Sequence, residues 1–343
     1  MYYIETGSMD PCFNLAFEEY VFSRRQDLDS CILLWQNTAA VIIGRNQNAY
    51  AEADDAYLRA HGIPLVRRMT GGGAVYHDPG NLNYSLIGPA GGSGEMDFAA
   101  FCGPVLSALK DLGLEAELSG RNDLLIGGRK ISGSAQYIRG GRVLHHGTLL
   151  FDADLAVMDA VLRPDPAKHH PSGGGGDGAF DGIPSVRSRV ANIRPLLSQD
   201  MTMAGFKEAL KAALCRYYTG EDQGRTWIPC SLPPSDIAQI RRLAAEKYAG
   251  EAWNRGESPP FELQRKGRIP GCGSLEITMS TEQGRIRRMR VTGDYFGSPE
   301  AIITALEGCP LQQKALQERL QGLEISRSIR GLTAEALIAI LMG

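Results

Sequence analysis

The stretch from Asp123 to Asp152 constrains the fold more than any other part of the chain. Asp123–Ile126 runs into Gly127-Gly128, Lys130–Ile138 runs into Gly140-Gly141, and Val143–Asp152 follows. Paired glycines between β-type runs are strong signals for two-residue turns with positive φ, so the segment reads as a meander of antiparallel strands. Helices are then placed by their caps and apolar spacing. Asp10-Pro11 opens one that carries Phe13, Phe17 and Tyr20 to about Arg24. Ala53–His61 stops at Gly62, Phe98–Leu112 stops at Gly113, and Ala204–Tyr218 and Ser235–Tyr248 complete the set. Cys31–Trp35 and Ala40–Gly44, separated by Gln36-Asn37-Thr38, read as a strand pair. Ile63–Arg68, Ala74–His77 and Leu82–Ile87 are further strands, the last two flanking the turn Asp78-Pro79-Gly80.

A chain of 343 residues is long enough for about two domains of roughly 150 residues. The polar segment Glu251–Pro260, with Gly256, Pro259 and Pro260, reads as a linker between residues 1–250 and 261–343. Beyond it come strands at Phe261–Lys266, Ser274–Ser280 and Arg285–Val291, then helices at about Pro299–Leu306, Gln312–Leu320 and Ala334–Leu341. The expected class is α+β: a mixed, largely antiparallel sheet flanked by helices, plus a small α+β C-terminal domain. Formal net charge is −3, so no basic field points to nucleic acid or an anionic membrane. No run of 18 apolar residues and no cleavable leader is present, which predicts a cytoplasmic protein. The seven cysteines are scattered without a CxxC pair, so neither a zinc site nor a disulfide framework is expected.

Nucleotide chemistry has to come from somewhere other than the common motifs. There is no GxxxxGK[ST], and the letters GxGxxG at Gly173, Gly175 and Gly178 do not follow a strand. Three other segments carry chemistry. Thr70-Gly71-Gly72-Gly73 between two strands offers backbone N–H groups that an anion can approach directly. Arg67 and Arg68 point to opposite faces of their strand, so at most one enters the same pocket. In the second segment, strand alternation places Lys130, Ser132, Ser134 and Gln136 on one polar face, with Asp123 nearby as a Mg²⁺ contact. In the third, His145 and His146 face opposite ways, one packed and one lining the cleft.

These segments resemble a known family. Residues 67–85 (RRMTGGGAVYHDPGNLNYS), 119–135 (SGRNDLLIGGRKISGSA), 145–155 (HHGTLLFDADL) and 185–193 (SVRSRVANI) are similar to lipoate–protein ligases, within the wider family of biotin ligases and octanoyltransferases. The similarity runs in order over about residues 2–343 and includes the small C-terminal domain of the long forms. It implies a biotin/lipoate ligase-like catalytic domain and a two-step reaction. The lipoate carboxylate attacks the α-phosphate of Mg·ATP, and a lysine of an acceptor lipoyl domain then attacks the lipoyl-adenylate. By resemblance, Arg68, Gly73, Ala74, Val75, Tyr76 and Lys130 bind ATP or adenylate, and Gly72, Gly73, His77, Lys130 and Ser132 bind lipoate. Lys130 is the catalytic residue, Ser188, Arg189 and Asn192 form a closing loop, and Asp123 contacts Mg²⁺. Implied acceptors are 2-oxoacid dehydrogenase E2 subunits and the glycine cleavage H protein, served by a monomer, and the sequence leaves open whether octanoate is used beside lipoate. The glycine-rich Pro171–Gly182 departs from the family, where a lysine-containing stretch is usual.

Three rivals share the scaffold. An octanoyltransferase needs a cysteine near the lysine, yet none lies between Cys102 and Cys215, and Cys102 falls among Phe98, Phe101 and Val105 in a helix. A biotin ligase would carry a GRGR-type loop in place of Thr70-Gly-Gly-Gly. A non-catalytic lipoate-binding protein would be expected to lose Lys130 or the C-terminal domain, and both are present.

Overall fold

In the computed structural model the described residues are 1–47, 49–90, 96–120, 122–162, 190–221, 223–255, 263–282 and 285–342. The Asp123–Asp152 meander is realised as strands Asp123–Ile126, Arg129–Arg139 and Arg142–Leu150, and all four turn glycines have positive φ. They form one side of an eight-stranded sheet. Its spatial order is Ile228–Pro229, Tyr2–Glu5, Cys31–Trp35, Asn81–Pro89, Arg142–Leu150, Arg129–Arg139, Asp123–Ile126 and Glu117–Ser119. Helices Phe98–Asp111 and Met203–Thr219 cover one face, burying Cys102, Val105, Leu109, Phe206 and Leu210 against Leu82, Tyr84, Ile131 and Leu149. Helices Pro11–Arg24 and Pro234–Leu243 cover part of the other.

A second, three-stranded sheet stands beside it. Ala40–Ile43 pairs in parallel with Leu65–Arg67 and antiparallel with Val75–His77. The expected pairing of Cys31–Trp35 with Ala40–Gly44 is therefore incorrect, since the two strands belong to different sheets. The reason lies in the connector: buried Asn37 is bound by Asn14 Nδ2 at 2.8 Å and lies 3.0 Å from His77 Nδ1, which carries the chain across instead of turning it back.

The C-terminal unit packs strands Leu263–Ile269, Gly273–Glu282 and Arg285–Gly293 against helices Glu300–Leu306, Gln313–Leu320, Ile325–Ser328 and Ala334–Met342 around its own apolar core. Glu251–Asn254, expected as linker, is instead a helix that docks on the first unit. Trp253 O accepts from Arg67 Nε at 2.9 Å, and Asn254 Oδ1 accepts from Arg67 N at 2.9 Å. Residues 256–260 of that expectation, and Pro171–Gly182, lie outside the described residues.

Candidate functional site

A cleft opens where the second sheet meets the meander. Leu15, Trp35, Arg68, Gly73, Ala74, Val75, His77, Asn83, Lys130, Gly133, His146 and Thr148 are among its lining residues. It holds ≈ 560 Å³ of space, its open mouth included.

Lys130 reaches the cleft through an irregularity that strict alternation does not foresee. Ser132 lies opposite Leu124, but Lys130 lies opposite Leu125, so Ile131 is an extra residue in a β-bulge. A bulge reverses the parity of everything before it. Ile131 turns into the core beside Leu124, whereas Lys130 swings to the cleft face with Gly133 and Ala135. A Cβ at Gly133 would lie 2.8 Å from Lys130 Nζ, so a side chain there would push the lysine's tip from its place along the cleft wall. The ammonium pairs with Asp123 Oδ1 at 2.8 Å, both side chains about a third exposed. The Lys130 backbone is pinned by Ala191 N, which donates to its carbonyl at 2.8 Å.

The expected polar face of the strand is consequently split. Ser132 is fully buried and is absent from the cleft wall. Ser134 lies 3.8 Å from Cys102 Sγ, and Gln136 Nε2 lies 3.0 Å from His145 Nδ1. Gln136 Nε2 is a donor, so Nδ1 of His145 accepts, and its Nε2–H faces Cys102 Sγ at 3.9 Å. The imidazole thus presents a proton to the sulfur instead of accepting one. Burial raises the Cys102 thiol to about 11 and lowers His145 to about 3. This pair lacks the thiolate and the base that an acyl-transferring cysteine needs.

Arg68 and Arg67 do face opposite ways, as expected, and most of their donors go to backbone carbonyls. Arg67 Nη1 donates to the carbonyls of Gly44, Arg45 and Gln47, and Nη2 donates to that of Asn254. Arg68 Nε donates to Thr70 Oγ1, Nη1 to Ile42 O, and Nη2 to both Gly71 O and Gly73 O. One N–H of its five remains for a ligand. Burial lowers Arg68 to about 10, so it is charged at neutral pH. Its main action here is to shape the triglycine turn. In the strand Val75–His77, Val75 and His77 face the cleft, and the Tyr76 side chain turns into the core around Leu58, Met158 and Val161.

Gly72 donates to Tyr295 O at 3.4 Å, and Phe296 packs between Phe98 and Ala135, so the C-terminal unit covers this part of the turn. Asn192 binds Ala153 through both ends of its amide, at 2.9 and 3.1 Å, whereas Ser188 and Arg189 lie outside the described residues.

The sequence reading missed the polar chain behind the cleft. Thr70 Oγ1 lies 2.8 Å from His146 Nε2, His146 Nδ1 lies 2.8 Å from Glu18 Oε1, Ser85 Oγ donates to Glu18 Oε1 at 2.6 Å, and Trp35 Nε1 donates to Ser85 Oγ at 2.9 Å. Between a carboxylate and a hydroxyl, the imidazole carries its proton on Nδ1 and accepts at Nε2. The available signal was Glu18 one turn after Asn14, in a helix that also carries Leu15, Phe17, Val21 and Phe22, since a buried carboxylate must have partners. His146 is the histidine that lines the cleft, and His145 is the packed one.

Asp123 is one carboxylate beside one lysine. That suits an ion held mainly by nucleotide phosphates, as Mg²⁺ usually is, and no cluster of three candidate metal ligands occurs among the described residues. No helix among them is long and apolar enough to cross a membrane.

The chain is similar to known proteins of one family. Residues 10–215 match the family described as the lipoyl protein ligase A/B catalytic domain, and residues 258–341 match the bacterial lipoate protein ligase C-terminus. A lipoate–protein ligase of Bacillus subtilis (strain 168) is 36% identical over 335 residues, 97% of each chain. Lipoate–protein ligase 1 of Staphylococcus aureus is 34% identical, also over 97% of each chain. A P. falciparum protein solved in complex with lipoate shares the fold over 99% of this chain and 98% of its own, with TM-score 0.77 and 20% identity. A bipartite lipoate protein ligase of Thermoplasma acidophilum, described with its E2 lipoyl domain, matches 76% of this chain and 98% of its own, with TM-score 0.61 and 29% identity. A lipoate–protein ligase A bound with ATP matches 74% and 96%, with TM-score 0.57 and 28% identity.

Proposed function

Since the chain belongs to the lipoate–protein ligase family, we propose that it condenses lipoate with ATP and passes the lipoyl group to a lysine of a lipoyl domain. The observation that carries this reading is the position of Lys130. It stands on the cleft face at the exposed end, while Trp35, His77 and Asn83 form the buried end. An amphipathic acid enters such a cleft tail first, which leaves its carboxylate beside the ammonium.

In the first step a carboxylate oxygen attacks the α-phosphorus, the bond to the β-phosphate bridging oxygen breaks, and pyrophosphate leaves. In the second, a neutral lysine amine attacks the acyl carbon, the acyl–phosphate bond breaks, and AMP leaves. Negative charge builds on a phosphoryl oxygen in one step and on the acyl oxygen in the other, and both oxygens flank the same new bond. One fixed cation at that junction stabilises both transition states. Asp123 holds Lys130 in place and is the carboxylate positioned to meet Mg²⁺ arriving with ATP. The glycine turn, braced by Arg68, Thr70 and His146, forms the adjoining wall.

The acceptors are lipoyl domains of 2-oxoacid dehydrogenase E2 subunits and the glycine cleavage H protein, and octanoate is a secondary acid substrate. The enzyme works as a cytoplasmic monomer. The test is direct: incubation with ATP, Mg²⁺, lipoate and a lipoyl domain should raise the acceptor's mass by one lipoyl group. No mass change, with no pyrophosphate released from ATP and lipoate alone, would overturn the reading.

A further inference from the structure

The closed end of the cleft contains two hydrogen-bond donors without a partner among the described residues. His77 Nδ1 faces Asn37 Nδ2 at 3.0 Å, and the Asn37 amide is oriented by Asn14 Nδ2, which donates to its Oδ1 at 2.8 Å. Nδ1 of His77 therefore accepts, and the ring proton sits on Nε2. That Nε2 has no partner among the described residues. Asn83 shows the same pattern. Its Oδ1 accepts from Asn81 Nδ2 at 2.9 Å, and its own Nδ2 is unpartnered. Both side chains line the cleft, and both residues are nearly inaccessible, at 3% and 2%. Trp35 meets the His77 ring edge-on and spends its own N–H on Ser85. Burial, with the Arg68 charge nearby, lowers His77 to about 3, so the ring stays a neutral donor.

Buried donors without partners are rare and costly, and they are tolerated where a ligand completes them. Resting on the ligase reading, we infer that His77 and Asn83 determine specificity for the acyl tail, favouring a chain whose far end carries acceptor atoms over a plain alkyl chain. The dithiolane of lipoate places two polarizable sulfurs at that end, and sulfur is a weak acceptor. A methyl terminus leaves both donors unpaired in a dry pocket. Apolar packing alone discriminates weakly between chains of similar length, whereas polar groups left unpaired discriminate strongly.

The test compares kcat/KM for pyrophosphate release with lipoate and with octanoate, in the intact protein and in His77→Phe and Asn83→Leu. The intact protein should prefer lipoate by about tenfold or more, and each variant should move that ratio toward one, chiefly by using octanoate better. A second comparison needs no variant: 8-hydroxyoctanoate, with an acceptor at the chain end, should outperform octanoate on the intact protein. Turnover of both acids with an unchanged ratio in the variants, or octanoate outperforming the hydroxy acid, would overturn the inference and leave the ligase reading standing. No pyrophosphate from any acid would remove the ligase reading and the inference together.

Discussion

Gly72 gives its N–H to the carbonyl of Tyr295 at 3.4 Å, which ties the C-terminal unit to the turn beside the reaction cleft. The fit is close on this side of the turn. A Cβ at Gly71 would lie 2.4 Å from Tyr295 O and 3.2 Å from a ring carbon of Phe296. Gly71→Ala should therefore loosen the docking of the two units and lower the melting temperature of the full chain. In a chain ending at Arg255 the same substitution should cost no more than about 0.5 kcal/mol, as at an ordinary surface position. Equal destabilisation in both backgrounds would show that the clash is internal to the first unit.

The same seam bears on the first reaction step. A chain ending at Arg255 retains Trp253 and Asn254, the partners of Arg67, whereas one ending at Ala249 strips them away. The chain ending at Arg255 should fold, fail to make lipoyl-adenylate, and still transfer lipoyl from supplied lipoyl-adenylate. A lid that excludes water and holds a triphosphate is needed for activation, while the adenylate has one phosphate left to bind. Full pyrophosphate release by the truncated protein would show the C-terminal unit to be dispensable.

Lys130→Ala should slow both half-reactions by ~10²–10³, about 2.7–4 kcal/mol, the usual cost of one preorganised donor. Stability should barely change, because the side chain is about a third exposed and its partner Asp123 is equally accessible. More than a third of the wild-type rate in both half-reactions would refute the assignment.

Cys102→Ala should leave ligation nearly intact, and mass spectrometry should find no acyl thioester on the protein. The thiol is buried, raised to about 11, and faces an imidazole N–H. A trapped lipoyl or octanoyl thioester would restore the transferase alternative.

Acid should destabilise the fold through its buried histidines. Burial lowers His77 and His145 to about 3, against about 6.5 in an unfolded chain. Between those values the unfolded chain binds protons that the folded one excludes. Stability is thus complete above about pH 6.5 and falls as pH drops through the window, by up to about 1.4 kcal/mol per pH unit for each histidine. Urea midpoints at pH 7.5 and 5 should differ more in wild type than in His145→Gln. The same acid loss in both would mean that His145 titrates normally in the fold.

Periodicity and turn chemistry are local, so the sequence by itself determined the meander, the flanking helices and a separate C-terminal unit. The glycines at 127, 128, 140 and 141 needed no tertiary context to mark turns. Motif resemblance likewise picked out Lys130, the triglycine turn and His77. Tertiary structure decided the rest, because each remaining feature depends on a partner distant in the chain. Which face Lys130 occupies hangs on one extra residue, Ile131, opposite Leu124 and Leu125, and alternation cannot count a bulge. Arg68 looked like a free phosphate ligand, yet Ile42 and the turn's own carbonyls claim most of its donors. Glu18 and His146 lie 128 positions apart and meet only when the Pro11–Arg24 helix packs on the large sheet. A buried charge signals that a partner exists, but only the packed core says which residue it is.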